Sequence, residues 1–150
     1  MPKPFPLQTL LDLAQQRNDA AAAQLGVVNG HERDMQTRLQ LLLDYRCEYS
    51  ARLAGAAQTG MDSAGWRNLR QFIDTIDNAI DQQREIAATA RRQVETGRQH
   101  WQAQQRRLGS FDTLSQRHRS AQRADEARLE QKEHDNFALN KYLGLRATMG

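Results

Sequence analysis

Ala54-Gly55-Ala56-Ala57-Gln58-Thr59-Gly60-Met61-Asp62-Ser63-Ala64-Gly65 places three glycines within twelve residues and reads as a turn. Gly55 can end a helix arriving from the N-terminal side, and Asp62 or Ser63 can cap one that leaves. Stepping back from the turn by alternating fours and threes gives Leu53, Tyr49, Arg46, Leu42, Leu39, Met35, Glu32, Val28, Leu25, Ala21, Asn18, Ala14, Leu11 and Leu7. Eleven of these fourteen positions are apolar, at an average step of 3.5 residues, the period of a coiled-coil seam. Stepping forward gives Trp66, Leu69, Ile73, Ile76, Ile80, Gln83, Ala87, Ala90, Val94, Gly97, Trp101, Gln104, Leu108 and Phe111, again with eleven of fourteen apolar. Two seams of equal length joined by a short turn fold back on each other. The expected fold is therefore all-α, a long two-helix antiparallel coiled-coil hairpin.

The boundaries follow from the same pattern: helix about 7–53, loop 54–65, helix about 66–142, in one domain spanning 1–150. Each paired arm would be about 70 Å long at 1.5 Å rise per residue. In this register 49 lies near 72, 42 near 79, and Leu7 near Asp112. The second helix should overhang the first by some 30 residues, since nothing remains to pair with the chain beyond Phe111. Gly109-Ser110 is the expected kink, because a Gly/Ser pair weakens a helix. Gly26 and Gly97 fall at nearly one height, which suggests a soft waist. Asn18, Glu32 and Arg46 interrupt the first seam at intervals of fourteen, either as register-selecting positions or as plain irregularities.

Composition agrees with this reading. Of the 150 residues, 73 are Ala, Gln, Arg or Leu, all good helix formers, against three Val and four Ile. The prolines Pro2, Pro4 and Pro6 all precede the first seam, so none would break a helix. No apolar run is long enough for a transmembrane span. Cys47 has no cysteine to pair with, which suits a reducing cytoplasm. His100, His118 and His134 are 16 to 18 residues apart and His31 stands alone, so no metal site is expected. No Gly-rich phosphate loop or nucleophile motif is present, so neither catalytic residues nor a cofactor are expected.

Charge is unevenly spread. Residues 1–83 carry 8 basic and 10 acidic side chains, while residues 84–128 carry 10 arginines against 5 acids. The excess could meet an acidic protein surface. Its other reading is a basic coiled coil that binds nucleic acid, but interleaved acids and few aromatics make a poor phosphate or stacking platform. A scaffold dimerising through the overhang is a third possibility.

Leu42, Tyr45 and Tyr49 line one edge of the first helix, and Phe72, Ile76 and Ala79 line the second at the same height. Tyr45, Phe72 and Ala79 lie beside the seam rather than on it. Periodicity alone leaves two readings open: a locally wider core, with Leu41 and Leu43 covered by long polar side chains, or an exposed strip for another protein.

The segments Leu42-Leu43-Asp44-Tyr45-Arg46-Cys47-Glu48-Tyr49 and Trp66-Arg67-Asn68-Leu69-Arg70-Gln71-Phe72-Ile73 resemble two successive segments of the flagellar export family FliJ. Trp101, Arg107-Leu108, Phe111, Leu114 and Arg117, then Arg128-Leu129-Glu130-Gln131-Lys132 and Asp135-Asn136-Phe137-Ala138, are similar to its later segments. Phe111 stands where a tryptophan would be equally familiar. The resemblance implies an antiparallel coiled coil similar to the stalk of rotary ATP synthases. It implies a non-enzymatic adaptor, cytoplasmic and peripheral to the inner membrane at the flagellar base. Its implied partners are the hexameric export ATPase, the cytoplasmic domain of the membrane export gate, and export chaperones, with no nucleic acid. The gate contact so implied is Leu42, Tyr45, Tyr49, Phe72, Ile76 and Ala79. An ATPase contact is expected at the overhang, through Arg117, Arg119, Arg123 and Arg128. A homologous stalk of a virulence-type secretion ATPase is the alternative.

Overall fold

The computed structural model describes residues 3–149, with the side chain of Met149 left aside. It contains two helices, α1 (Gln8–Thr59) and α2 (Ser63–Met149), which pack against each other as a helical hairpin. No strand occurs among the described residues. Both helices extend past their expected ends, and the link shrinks to Gly60, Met61 and Asp62.

The helix end falls at Gly60 rather than Gly55. Gly55 remains helical because the seam takes one further step, from Leu53 to Ala56, which is buried. Gly60 adopts φ +83°, a left-handed conformation that side chains resist. The Ala56 carbonyl accepts from both the Gly60 N–H at 3.0 Å and the Met61 N–H at 3.2 Å, closing the helix end. Asp62 then caps α2: its Oδ1 accepts from the Gly65 N–H at 2.9 Å and its carbonyl accepts from Trp66 at 3.0 Å. Gly60→Ala should therefore cost about 1–2 kcal/mol. Gly55→Ala, with open space around it, should instead gain up to about 1 kcal/mol. Urea melts of the two variants check this pair of opposite signs.

The contacts group into two compact units, Asp19–Ala103 and the remainder. In the Asp19–Ala103 unit the expected seam is the core: Ala21, Met35, Ile73, Ile76, Ile80, Ala87, Ala90 and Val94 are all buried. The register holds as expected. Gln83, buried, donates to the Met35 carbonyl at 3.0 Å, and the Tyr49 and Phe72 rings meet at 4.7 Å. Gly97 marks a close approach, since a Cβ there would stand 3.3 Å from Val28 Cγ2. Arg46 spans the seam to form an ion pair with Asp77. That hydrogen bond raises the affinity of the guanidinium for its proton. Glu32 is half-buried. α1 and α2 stay helical through Gly26, Gly97 and Gly109-Ser110.

In the other unit, pairing continues beyond Phe111, contrary to the expectation that no partner remains. Ser115 is 2% exposed, the Phe5 and His118 rings lie 5.5 Å apart, and Gln122 donates to the Lys3 carbonyl. The partner is the non-helical segment Lys3–Phe5 ahead of α1. Extended chain advances more than 3 Å per residue against 1.5 Å in a helix, so a few residues cover several of α2. Residues 123–148 are exposed throughout, so the unpaired part of α2 begins about ten residues later than expected.

Asn18 in this unit is 8% exposed, and its Oδ1 has no hydrogen-bond partner among the described residues. Gln104 Oε1 is buried and unpartnered as well. An orphaned buried acceptor costs about 1–3 kcal/mol. Asn18→Leu should therefore raise the melting temperature by several degrees in a calorimetric scan.

Candidate partner-binding surfaces

The strip named from sequence divides by position relative to the seam. Ile76 is 6% exposed and belongs to the core. Leu42, Tyr49 and Ala79 are half-buried, with the Arg52 guanidinium 4.9 Å above the Tyr49 ring. Tyr45 and Phe72, one residue before a seam position, remain 44% and 46% exposed. The Tyr49–Phe72 edge contact, at 65° between rings, holds Phe72 upright on the surface. Leu41 is 51% exposed, so it is not covered by polar side chains. The structure joins Tyr49 and Phe72 directly, and it leaves a partly exposed aromatic platform.

The two sides of the α2 seam differ in charge. Each residue preceding a seam position lies on one flank of the hairpin, and each residue following lies on the other. From Gly65 to His100 the first flank reads Gly65, Asn68, Phe72, Thr75, Ala79, Gln82, Ile86, Thr89, Gln93, Thr96, His100, without one Asp, Glu, Lys or Arg. The opposite flank reads Arg67, Arg70, Asp74, Asp77, Asp81, Arg84, Ala88, Arg91, Glu95, Arg98. The uncharged flank also carries Ile86, 46% exposed. On α1, Val27 and Leu41, 65% and 51% exposed, precede seam positions in the same way. The signal was present in the sequence, but it emerges only when the positions on either side of the seam are compared.

The four arginines expected at the overhang are exposed but do not form one patch, and Arg117 and Arg119 lie in the stretch of α2 that pairs with Lys3–Phe5, not in the overhang. Arg117 and Arg128, eleven residues apart, share one face, while Arg119 and Arg123 point to the other side of the helix. Arg119 donates to Ser115 Oγ at 3.3 Å, and Arg128 approaches Asp125 at 3.8 Å. Beyond them stand Leu129, Phe137, Leu139, Tyr142, Leu143 and Leu145, each 51–69% exposed. At about 100° per residue they point around roughly three quarters of the circumference.

The sequence family described as "Flagellar FliJ protein" matches residues 2–146. The chain belongs to the flagellar FliJ family. The FliJ protein of Salmonella typhi is 34% identical over 132 residues, covering 88% of this chain and 90% of that relative. The FliJ protein of Escherichia coli strain K12 matches at the same identity and over the same shares. A helical hairpin with an apolar strip is thus set within a flagellar family. No helix among the described residues is long and apolar enough to cross a membrane. Among those residues no group of three or more His, Cys, Asp or Glu could hold a metal ion.

Proposed function

We propose that this FliJ-family chain is a non-enzymatic stalk and adaptor of the flagellar type III protein export apparatus. In this reading it acts in the cytoplasm, peripheral to the inner membrane at the flagellar base. It engages the hexameric export ATPase through the unpaired part of α2. It engages the cytoplasmic domain of the export gate through Leu42, Tyr45, Tyr49, Phe72, Ile76 and Ala79, and it handles export chaperones.

The observation that carries the reading is the girdle of exposed apolar side chains from Leu129 to Leu145. A one-sided apolar stripe would suit a flat partner, whereas exposed apolar side chains spread around the helix, interleaved with Glu130, Lys132, Glu133, Asp135 and Lys141, suit a partner that encloses it. The lumen of a protein ring supplies that enclosure, and the scattered arginines suit carboxylates on several sides of such a lumen. In the arginine-rich segment 84–128, the arginines are interleaved with Glu85, Glu95, Asp112, Asp125 and Glu126. That mixture opposes the nucleic-acid alternative, which needs unopposed positive charge.

The test is sedimentation of the full chain with the purified export ATPase and, separately, with the gate's cytoplasmic domain. Co-sedimentation with both, unaffected by competing DNA, is expected. Binding to neither, or displacement by DNA, would refute the assignment.

A further inference from the structure

We propose that the uncharged flank of the hairpin carries a docking groove for a third helix, supplied by another protein, whose apolar stripe is bordered by carboxylates. This goes beyond the stalk reading and stands without it, since it involves neither the overhang nor the Tyr45–Phe72 platform.

The groove lies within the Asp19–Ala103 unit, encloses about 690 Å³, and has Gly97 and Val28 in its floor. Lacking a side chain, Gly97 lets the floor sink toward α1, where Val28 Cγ2 comes closest. One wall is α1 at Gln24, Val27 and His31, and the other is α2 at Thr89, Gln93, Thr96 and His100. A second hollow bounded by His31, Glu85, Ile86, Thr89 and Gln93 prolongs it along the same flank, with Glu85 the one acidic residue in its lining.

Spacing argues for a helix as the occupant. On α2 the wall residues from Ile86 through Thr89, Gln93 and Thr96 to His100 recur at steps of three and four. On α1, Gln24, Val27 and His31 do the same. Two walls with that period form a row of holes matched to the side chains of a third coiled-coil strand, whereas an extended peptide has a period of two. The wall from Ile86 to His100 is about 21 Å long, or about four helical turns.

Charge argues for the occupant's polarity. The residues lining the larger groove include Arg92, His31 and His100 but no Asp or Glu. Arg92 is held against the wall by its hydrogen bond to Thr89 Oγ1 at 2.9 Å. Of the five guanidinium N–H donors, that bond uses one, so a carboxylate can be met by a fork of the others. Val27, 65% exposed, and Ile86, 46% exposed, supply the apolar contact toward the two ends.

The test uses the full chain and two synthetic 18-residue helical peptides, both with leucines at alternating three and four spacing. One peptide carries glutamates beside the stripe and the other lysines. Fluorescence anisotropy should show the glutamate peptide binding at least tenfold more tightly. Amide shifts should be largest at Gln24, Val27 and His31 and at Ile86, Thr89, Gln93, Thr96 and His100. Arg92→Glu should reverse the preference between peptides, and Val27→Asn should weaken both. Each variant should melt with the wild type, because both side chains are on the surface. Equal affinity for the two peptides, or shifts larger at Arg84, Arg91, Glu95 and Arg98 than at Ile86, Thr89, Gln93, Thr96 and His100, would overturn the proposal. So would sedimentation showing the groove already occupied by a second copy of the chain.

Discussion

Ile76→Ala should lower stability by about 2–5 kcal/mol, while Phe72→Ala, four residues away, should cost no more than about 1.5 kcal/mol. Ile76 lies in the seam at 6% exposure, and its truncation leaves a cavity. Phe72 lies beside the seam at 46% exposure, with its ring centroid 4.7 Å from that of Tyr49. Tyr45→Ala, at 44% exposure, should melt within about 0.5 kcal/mol of wild type. If the platform meets the export gate, Phe72→Ala and Tyr45→Ala should each weaken gate binding tenfold or more, because aromatic anchors dominate such interfaces. Stimulation of the ATPase should persist in both. Thermal melts combined with titration against the gate domain separate the two effects. A Phe72→Ala variant that melts as low as Ile76→Ala, and binds the gate normally when folded, would make the platform part of the core.

Replacing Phe137, Leu139, Tyr142 and Leu143 together by Gln should abolish stimulation of the export ATPase without changing the melting temperature. All four are more than half exposed, and Gln preserves helix propensity. Reversing Arg117, Arg119, Arg123 and Arg128 to Glu should abolish stimulation too, although each single reversal is worth only about 0–1 kcal/mol. Salt distinguishes the two contributions. The arginine-dependent part should fade as ionic strength rises, while the apolar part should not. Steady-state hydrolysis by the ATPase, with each variant added across a salt series, provides the measurement. Full stimulation by the Gln variant at every salt concentration would remove the overhang from the ATPase contact.

Much of this architecture was legible because a seam writes itself into sequence. Tyr49 opposite Phe72 and the capping of α2 by Asp62 follow from periodicity and from polar residues at a turn. Three features escape a reading by hydrophobic periodicity, each for a physical reason. Choosing between Gly55 and Gly60 required knowing that Ala56 is buried, and alanine gives too weak an apolar signal to extend a pattern alone. The pairing of Lys3 with Gln122 runs through a backbone carbonyl, which any residue supplies. The uncharged flank of α2 is not periodic in hydrophobicity, since Thr, Gln and Asn dilute its apolar residues. Its signature is the absence of charge.

The hairpin register also governs how the chain reaches its folded state. Tyr49 and Phe72 meet across a separation of 23 residues, Met35 and Gln83 across 48, and Val28 and Gly97 across 69. Loop-closure entropy rises with that separation, but once the contacts nearest the turn form, each later pair closes only a short additional segment. Folding is then a zipper started at Gly60 and advancing toward Gly97. Such a path predicts that substitutions beside the turn slow folding, while equally destabilising ones near Gly97 chiefly speed unfolding.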